Sequence, residues 1–195
     1  MKETNHINKT RFETLIDGIF AIVITILILE FKVPHIENAD SAQLNGILLD
    51  LIPTFLCYIV AFFSIVVIWL DHHNLFKAVK YITKPFALIN FVFILTVSII
   101  PFSTAFLGEY FGTTTGTVFF IGSLLIMNIV FTVVFIYPVK TGLIENGPEF
   151  LNQNRVIPLI GLGVEIIGLI LAFINPTVAF CITFIVLVLH LFKRN

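Results

Sequence analysis

The chain has 195 residues, of which 58% are hydrophobic and 12% charged, with a net charge of −1. Soluble domains are ~45–50% apolar and ~25% charged, and a domain of this size keeps too much surface exposed to hide such an excess from water. The composition argues against a soluble enzyme. Its 22 phenylalanines exclude a disordered chain, and helices of about 20 apolar residues with short loops fit it as an integral membrane protein of roughly six spans.

The opening MKETNHINKTRFETLIDG has no apolar core followed by a small-residue cleavage site, so no signal peptide is expected. Asn8-Lys9-Thr10 matches the glycosylation pattern, but on the cytoplasmic side, where the charge distribution places it, the motif goes unused. The first apolar span is predicted at residues 12–33. Asp17 lies six residues beyond Arg11, about 9 Å deeper along a helix. An ionised carboxylate costs ~2.5–3.5 kcal/mol at mid-membrane and less near the interface, so a partner is expected. Further along, Ile22, Ile26 and Leu29 follow i, i+4, i+7 spacing, with Thr25 beside them. In a pore such a row makes stacked apolar rings that gate by dewetting, with a hydroxyl ring between. The same row also suits packing on a neighbouring helix or facing lipid. Because the span is nearly all apolar, periodicity alone favours that plainer reading.

The second span, predicted at 46–70, runs into Trp69-Leu70-Asp71-His72-His73-Asn74, and the third, at 83–107, carries Asn90 six residues beyond Lys84. Topology therefore brings Arg11, Asp17, Trp69, His72, His73 and Asn90 to one level between three helices. They suit a structural network, since Trp and Arg donate, Asn does both and the carboxylate accepts. A proton-sensing or gating role through histidine is the other reading. No metal site is expected: adjacent histidines point about 100° apart on a helix, and no further ligand stands at a zinc-like spacing.

The fourth span is predicted at 113–138 and opens with Thr113-Thr-Thr-Gly116. That run lacks the Val-Gly-Tyr-Gly of ordinary potassium-channel filters and reads as a helix start, with threonines bonding back to the chain. The fifth and sixth, at 156–175 and 177–192, are separated by Asn175-Pro176 and predict a helical hairpin. Glu165 is an intramembrane carboxylate among Gly161, Gly163 and Gly168, expected to be protonated and hydrogen-bonded within the bundle. Cys57 and Cys181 lie in apolar runs and suggest inert buried thiols.

Lys2, Lys9, Arg11, Lys77, Lys80, Lys84, Lys140, Arg155, Lys193 and Arg194 fall on one side of the predicted spans, and only Lys32 on the other. The positive-inside rule then puts both termini in the cytoplasm, with the protein a multi-pass component of the cell membrane. No enzyme motif is present, neither His-Glu-x-x-His, Gly-x-Ser-x-Gly nor a phosphate loop. No cofactor or nucleic-acid partner is expected; the partners are lipid and the chain itself.

The pattern Arg11-x5-Asp17-x3-Ala21-Ile22-x2-Thr25-x3-Leu29-Glu30 resembles the first-helix signature of the transmembrane protein 175 family, whose prokaryotic members are six-span potassium channels. Trp69-x2-His72-His73-Asn74-Leu75-Phe76 is similar to that family's exit from span two. Asn90 and Pro101-Phe102-x-Thr104-Ala105-x-Leu107-Gly108-Glu109-Tyr110 are similar to its span three. The resemblance implies an all-α homotetramer in which the first helix of each subunit lines a central pore. It puts the hydrophobic constriction at Ile22, with Ile26 and Leu29 further along, a potassium-selecting layer at Thr25, and a supporting network of Arg11, Asp17, Trp69, His73 and Asn90. It thereby reverses the plainer reading of the apolar row. The permeating ion it implies is K+, with modest selectivity over Na+. The chain departs from the family at Leu15-Ile16, where most members have Phe-Ser, which removes one hydroxyl partner of Asp17. The alternative function is a proton-coupled transporter relaying through Asp17, Glu165 or the histidines, although no inverted repeat or broken helix favours it.

Overall fold

The computed structural model describes residues 7–32, 34–36, 38, 40–154 and 156–192; Lys2, Arg155, Lys193 and Arg194 of the charge pattern lie outside them. Among the described residues the chain is all helical. Helix α1 (Lys9–Ile26) runs into a 3-10 turn at Leu27–Glu30; α2 (Ser41–Asp50) and α3 (Ile52–Ala78) follow, then α4 (Lys84–Glu109), α5 (Thr114–Lys140), α6 (Gly147–Asn154), α7 (Val156–Ala172) and α8 (Pro176–Phe192).

Caps and breakers set these ends. Asn8 caps α1 by accepting from the Arg11 N–H, Thr83 caps α4, and Thr113 caps α5 by accepting from the Gly116 N–H. Thr113 Oγ1 also donates to Tyr110 O at 2.7 Å, so the threonine run begins a helix and forms no carbonyl filter. Asp40 and Gln43 form a reciprocal capping box at the start of α2.

Two elements differ from the sequence expectation. The second apolar stretch is interrupted, because Pro53 lacks an N–H and its ring opposes the carbonyl of Leu49; the chain breaks at Leu51 and restarts as α3. The connection after α5 contains a short helix, α6, which places Phe150 against Phe135 with ring centroids 5.5 Å apart. Four stretches are long and apolar enough to cross a membrane: 9–30, 41–78, 84–109 and 114–140. Helices α7 and α8 have 17 residues each, about 25 Å, at the short limit for a span.

Helix α5 is central, packed on α4 and α7, while α3 joins α4 to α1 and α8 pairs with α7. Phenylalanines fill much of the interior: Phe20, Phe86, Phe93, Phe120 and Phe131 are all fully buried. One end of the bundle is stitched by short polar contacts. Lys9 Nζ donates to Val79 O at 2.6 Å, the Ile7 N–H to Ile82 O, and the Lys80 N–H to Leu143 O. The α1 start, the α3–α4 turn and the α5–α6 turn are thereby fixed together. Several serine and threonine hydroxyls inside the apolar helices donate to their own backbone, as Ser103 and Thr104 do to Ile100 O.

Gly116 is a close-approach position. A Cβ there would stand 2.9 Å from Tyr110 O and 3.0 Å from Thr113 Oγ1, whereas one at Gly122 would meet nothing within 4 Å. Gly116→Ala is expected to destabilise the protein by about 1–3 kcal/mol. Gly122→Ala should stabilise it slightly through helix propensity, by up to ~1 kcal/mol. Melting of the two variants in detergent checks the opposite signs.

Candidate functional site

Helix α1 has two distinct faces. Phe12, Ile16, Phe20, Val23 and Leu27, spaced by three or four residues, are buried against α3 and α4. The opposite stripe of Arg11, Leu15, Gly18, Ile22, Thr25 and Leu29 is uncovered by the rest of the protomer. Ile22 is 60% and Leu29 74% exposed, while Ile26, on the stripe's flank, is half-buried. Thr25 Oγ1 donates to Ala21 O and Ile22 O, both at 2.9 Å. Its proton is committed to the backbone, so the oxygen presents lone pairs outward.

The polar residues form two pairs on either side of α3. Trp69 Nε1–H donates to Asp17 Oδ1 at 2.9 Å, and the Trp69 indole stacks on His73 with centroids 5.7 Å apart. Asp17, His72 and His73, with Lys9, Glu13 and Lys77, line a cavity of about 260 Å³ at the stitched end, ample for several waters. Deeper in, His72 and Asn90 Oδ1 are 2.9 Å apart, and Asn90 Nδ2 donates to Phe86 O at 2.8 Å. With the amide protons turned to Phe86 O, Oδ1 must accept, so His72 carries its proton on Nε2. The imidazole is packed among Phe20, Phe76 and Phe93, stacking on Phe76 at 4.2 Å.

Arg11 is not brought to Asp17. Six residues turn a helix by about 600°, which leaves Arg11 roughly 120° around α1 from the carboxylate, on the uncovered stripe. Its side chain pairs with none of the described residues of the protomer; only its backbone N–H is engaged, by Asn8. Cys57 is buried and Cys181 is exposed, contrary to the expectation that both are buried; the α8 face carrying Cys181 is covered by no other helix, and both thiols are free.

A polar pair that the sequence reading did not assemble joins α5 to α7: the Asn128 side-chain amide donates to Glu165 Oε1. Asn128 stands in a long apolar run, and the only available signal was an amide at mid-span. Gly161 of α7 lies beside the Asn128 side chain, where an added Cβ would stand at ordinary contact distance, 3.4 Å.

A sequence model of the family described as "Endosomal/lysosomal potassium channel TMEM175" matches residues 11–101. The crystal structure of a lysosomal potassium-selective channel TMEM175 homolog from Chamaesiphon minutus superposes with a TM-score of 0.82 over 96% of this chain and 98% of that one, at 28% identity. The chain is similar to the TMEM175 family in sequence over residues 11–101 and in fold over nearly its whole length. Curated relatives align over roughly half of the chain. A potassium channel of Chamaesiphon minutus is 40% identical over 100 residues, 51% of this chain and 49% of that protein. The human endosomal/lysosomal proton channel TMEM175 is 34% identical over 90 residues, 43% of this chain and 18% of that protein. In these matches the chain spans about half the length of the bacterial relative and less of the human one. The TMEM175 match includes the α1 stripe, Asp17, Trp69, the histidine pair and Asn90.

Proposed function

We propose that the protein is a potassium-permeable channel of the cell membrane, assembled as a homotetramer with α1 of each subunit around a central pore. The observation that carries this reading is the stripe of α1 that the protomer leaves uncovered. It holds Ile22, Thr25 and Leu29, in a fold that matches a potassium-selective channel over nearly its full length. One chain contains no complete aqueous path along this stripe; several copies facing a shared axis supply one. Ile22, with Ile26 and Leu29, forms the hydrophobic constriction, and the outward lone pairs of Thr25 form a polar layer between them. Asp17, Trp69, His72, His73 and Asn90 brace α1 against α3 and α4, and Arg11, on the stripe itself, faces the neighbouring copy.

In this reading α7 and α8 complete six spans, and the stitched end, which carries Lys9, Lys77 and Lys80, lies in the cytoplasm with both termini. A layer of side-chain oxygens and residual water offers ions fewer fixed ligands than carbonyl rings do, so selectivity over Na+ is modest. Planar-bilayer recording in opposed K+ and Na+ gradients tests this. The expected result is an ohmic single-channel current with a reversal potential displaced toward that of K+, and Thr25→Val should move it toward zero. Saturable counterflow without unitary current would instead establish the transporter alternative, and absence of any flux would reject both. A pH gradient imposed in the same recordings measures proton current, the activity named for the mammalian relatives.

A further inference from the structure

At the end of the bundle opposite the stitched one, the exit of α1, the start of α3 and the end of α4 border an open cavity of about 510 Å³. Glu30 lies 21 residues beyond Lys9, about 30 Å along the helix, which matches the thickness of the hydrocarbon layer. The cavity therefore stands at headgroup level. Three charged side chains border it, Glu30, Lys32 and Glu109. Among the described residues none of the three is held in an ion pair, with one another or with a further group. The frame that presents them is packed. Phe31, between Glu30 and Lys32, sets its ring against Phe55 and Tyr58 of α3 with centroids 6.3 and 5.6 Å apart. Beneath the charges α3 and α4 meet closely, since a Cβ on Gly108 would stand 3.0 Å from Thr54 Cγ2.

Helix α4 forms the aromatic wall of the cavity and continues beyond it. Phe102 and Phe106 pack on Phe119 of α5 with centroids 5.7 and 5.4 Å apart, and Tyr110 lies beside Phe106 at 4.8 Å. Phe102, Phe106 and Tyr110 share one face of α4, and toward the membrane centre the same face carries Leu88, Val92, Leu95 and Ile99. From Leu88 to Phe102 these side chains are each between 41% and 63% exposed. The cavity thus opens onto an apolar track about 20 Å long that the described residues of the protomer leave uncovered. A small solute needs no such track; an acyl chain does. The ligand is therefore an amphiphile, and its polar end carries both signs of charge. A phosphate answers Lys32, and an ammonium beside it answers the two carboxylates. A primary ammonium has three N–H donors, enough for both Glu30 and Glu109, whereas a trimethylammonium has none. The neighbouring aromatic faces favour either cation.

We propose that this cavity seats the headgroup of a phosphatidylethanolamine, with its phosphate on Lys32, its ammonium between Glu30 and Glu109, and an acyl chain along the α4 track. The lipid joins the exit of α1 to the ends of α3 and α4. The site rests on the membrane reading of the chain and not on the pore, because its readouts are lipid occupancy and not current.

Native mass spectrometry of the full chain in detergent, with phosphatidylethanolamine and phosphatidylglycerol of identical acyl chains in equal amounts, tests the headgroup. The wild type is expected to retain phosphatidylethanolamine over phosphatidylglycerol by about tenfold. The double variant Glu30→Gln, Glu109→Gln should lose most of that preference. Equal retention of the two lipids by the wild type, or an undiminished preference in the double variant, overturns the proposal. The track is tested by Ile99→Trp, read against the wild type with its single Trp69, in vesicles of the same mixture with one lipid brominated along its chains. The added fluorescence should be quenched more when phosphatidylethanolamine is the brominated lipid than when phosphatidylglycerol is. Equal quenching by both would mean a face that meets lipid without selecting it. No quenching by either would mean that a second copy of the chain covers the track. Each of these two results rejects the site.

Discussion

Ile22→Asn is expected to raise the resting K+ current of the reconstituted protein by about tenfold or more. The side chain is 60% exposed on a protomer face that nothing else covers, so its replacement removes little from the core. What it changes is the wall of the proposed pore. A ring of isoleucines repels water, and an ion crossing it must shed hydration without compensation. An amide on each subunit gives water two donors and an acceptor with two lone pairs at the same depth. Each ~1.4 kcal/mol removed from the crossing barrier is a tenfold change in rate, and burial of one isoleucine side chain against exposure is itself ~1.5–3 kcal/mol. Leu95→Asn is the control, since Leu95 is equally exposed but lies on α4. Its current should equal that of the wild type. Equal leak through both variants, or none through Ile22→Asn, would remove the constriction from α1.

The same helix shows what a sequence of this kind discloses. The helix ends are legible, because Thr83 before Lys84-Pro85, Thr113 before α5 and Asn175-Pro176 are local signals whose chemistry acts within one turn. The interruption at Leu51 was legible in principle from Pro53 but is masked by continuous hydropathy on both sides. Which face of α1 is covered is not legible from periodicity, since apolar residues occupy both faces and the bilayer rewards each equally. Only the set of large residues at 12, 16, 20, 23 and 27 distinguishes the packed side, and it does so once α3 and α4 are in place. Depth along the helix correctly brought Asp17 near Trp69, but depth alone also paired Arg11 with Asp17, and the 600° of rotation between them places the two on different faces. Asn128 and Glu165 are 37 residues apart, and no local rule sets the register of α5 against α7.

The bond between Asp17 and Trp69 should behave as a coupled pair with both a stability and a gating readout. Trp69 Nε1–H is the direct protein donor to Asp17 Oδ1, at 2.9 Å, and the carboxylate also borders the hydrated cavity at the stitched end. A hydrogen bond to a charged group contributes ~1.5–3 kcal/mol, so Trp69→Phe and Asp17→Ala are each expected to destabilise the protein by about that much. The double variant should cost less than their sum by at least ~1 kcal/mol. Asp17→Asn should be milder than Asp17→Ala, because its Oδ1 still accepts from the indole. The functional consequence follows from where the bond sits. It ties the flank of α1 to α3 near the stitched end, while the opposite flank of the same helix carries Ile22 and Thr25. Loss of the tie removes a constraint on the rotation and tilt that set the width of the constriction. A change of 1.4 kcal/mol in the balance between two positions of α1 is a tenfold change in their ratio. Single-channel recordings of Trp69→Phe should therefore show an altered open probability at unchanged unitary conductance, since no pore-facing atom has changed. Additive costs in the double-mutant cycle would mean that the pair is not bonded in the bilayer. A changed unitary conductance would place Trp69 in the pore wall instead of behind it.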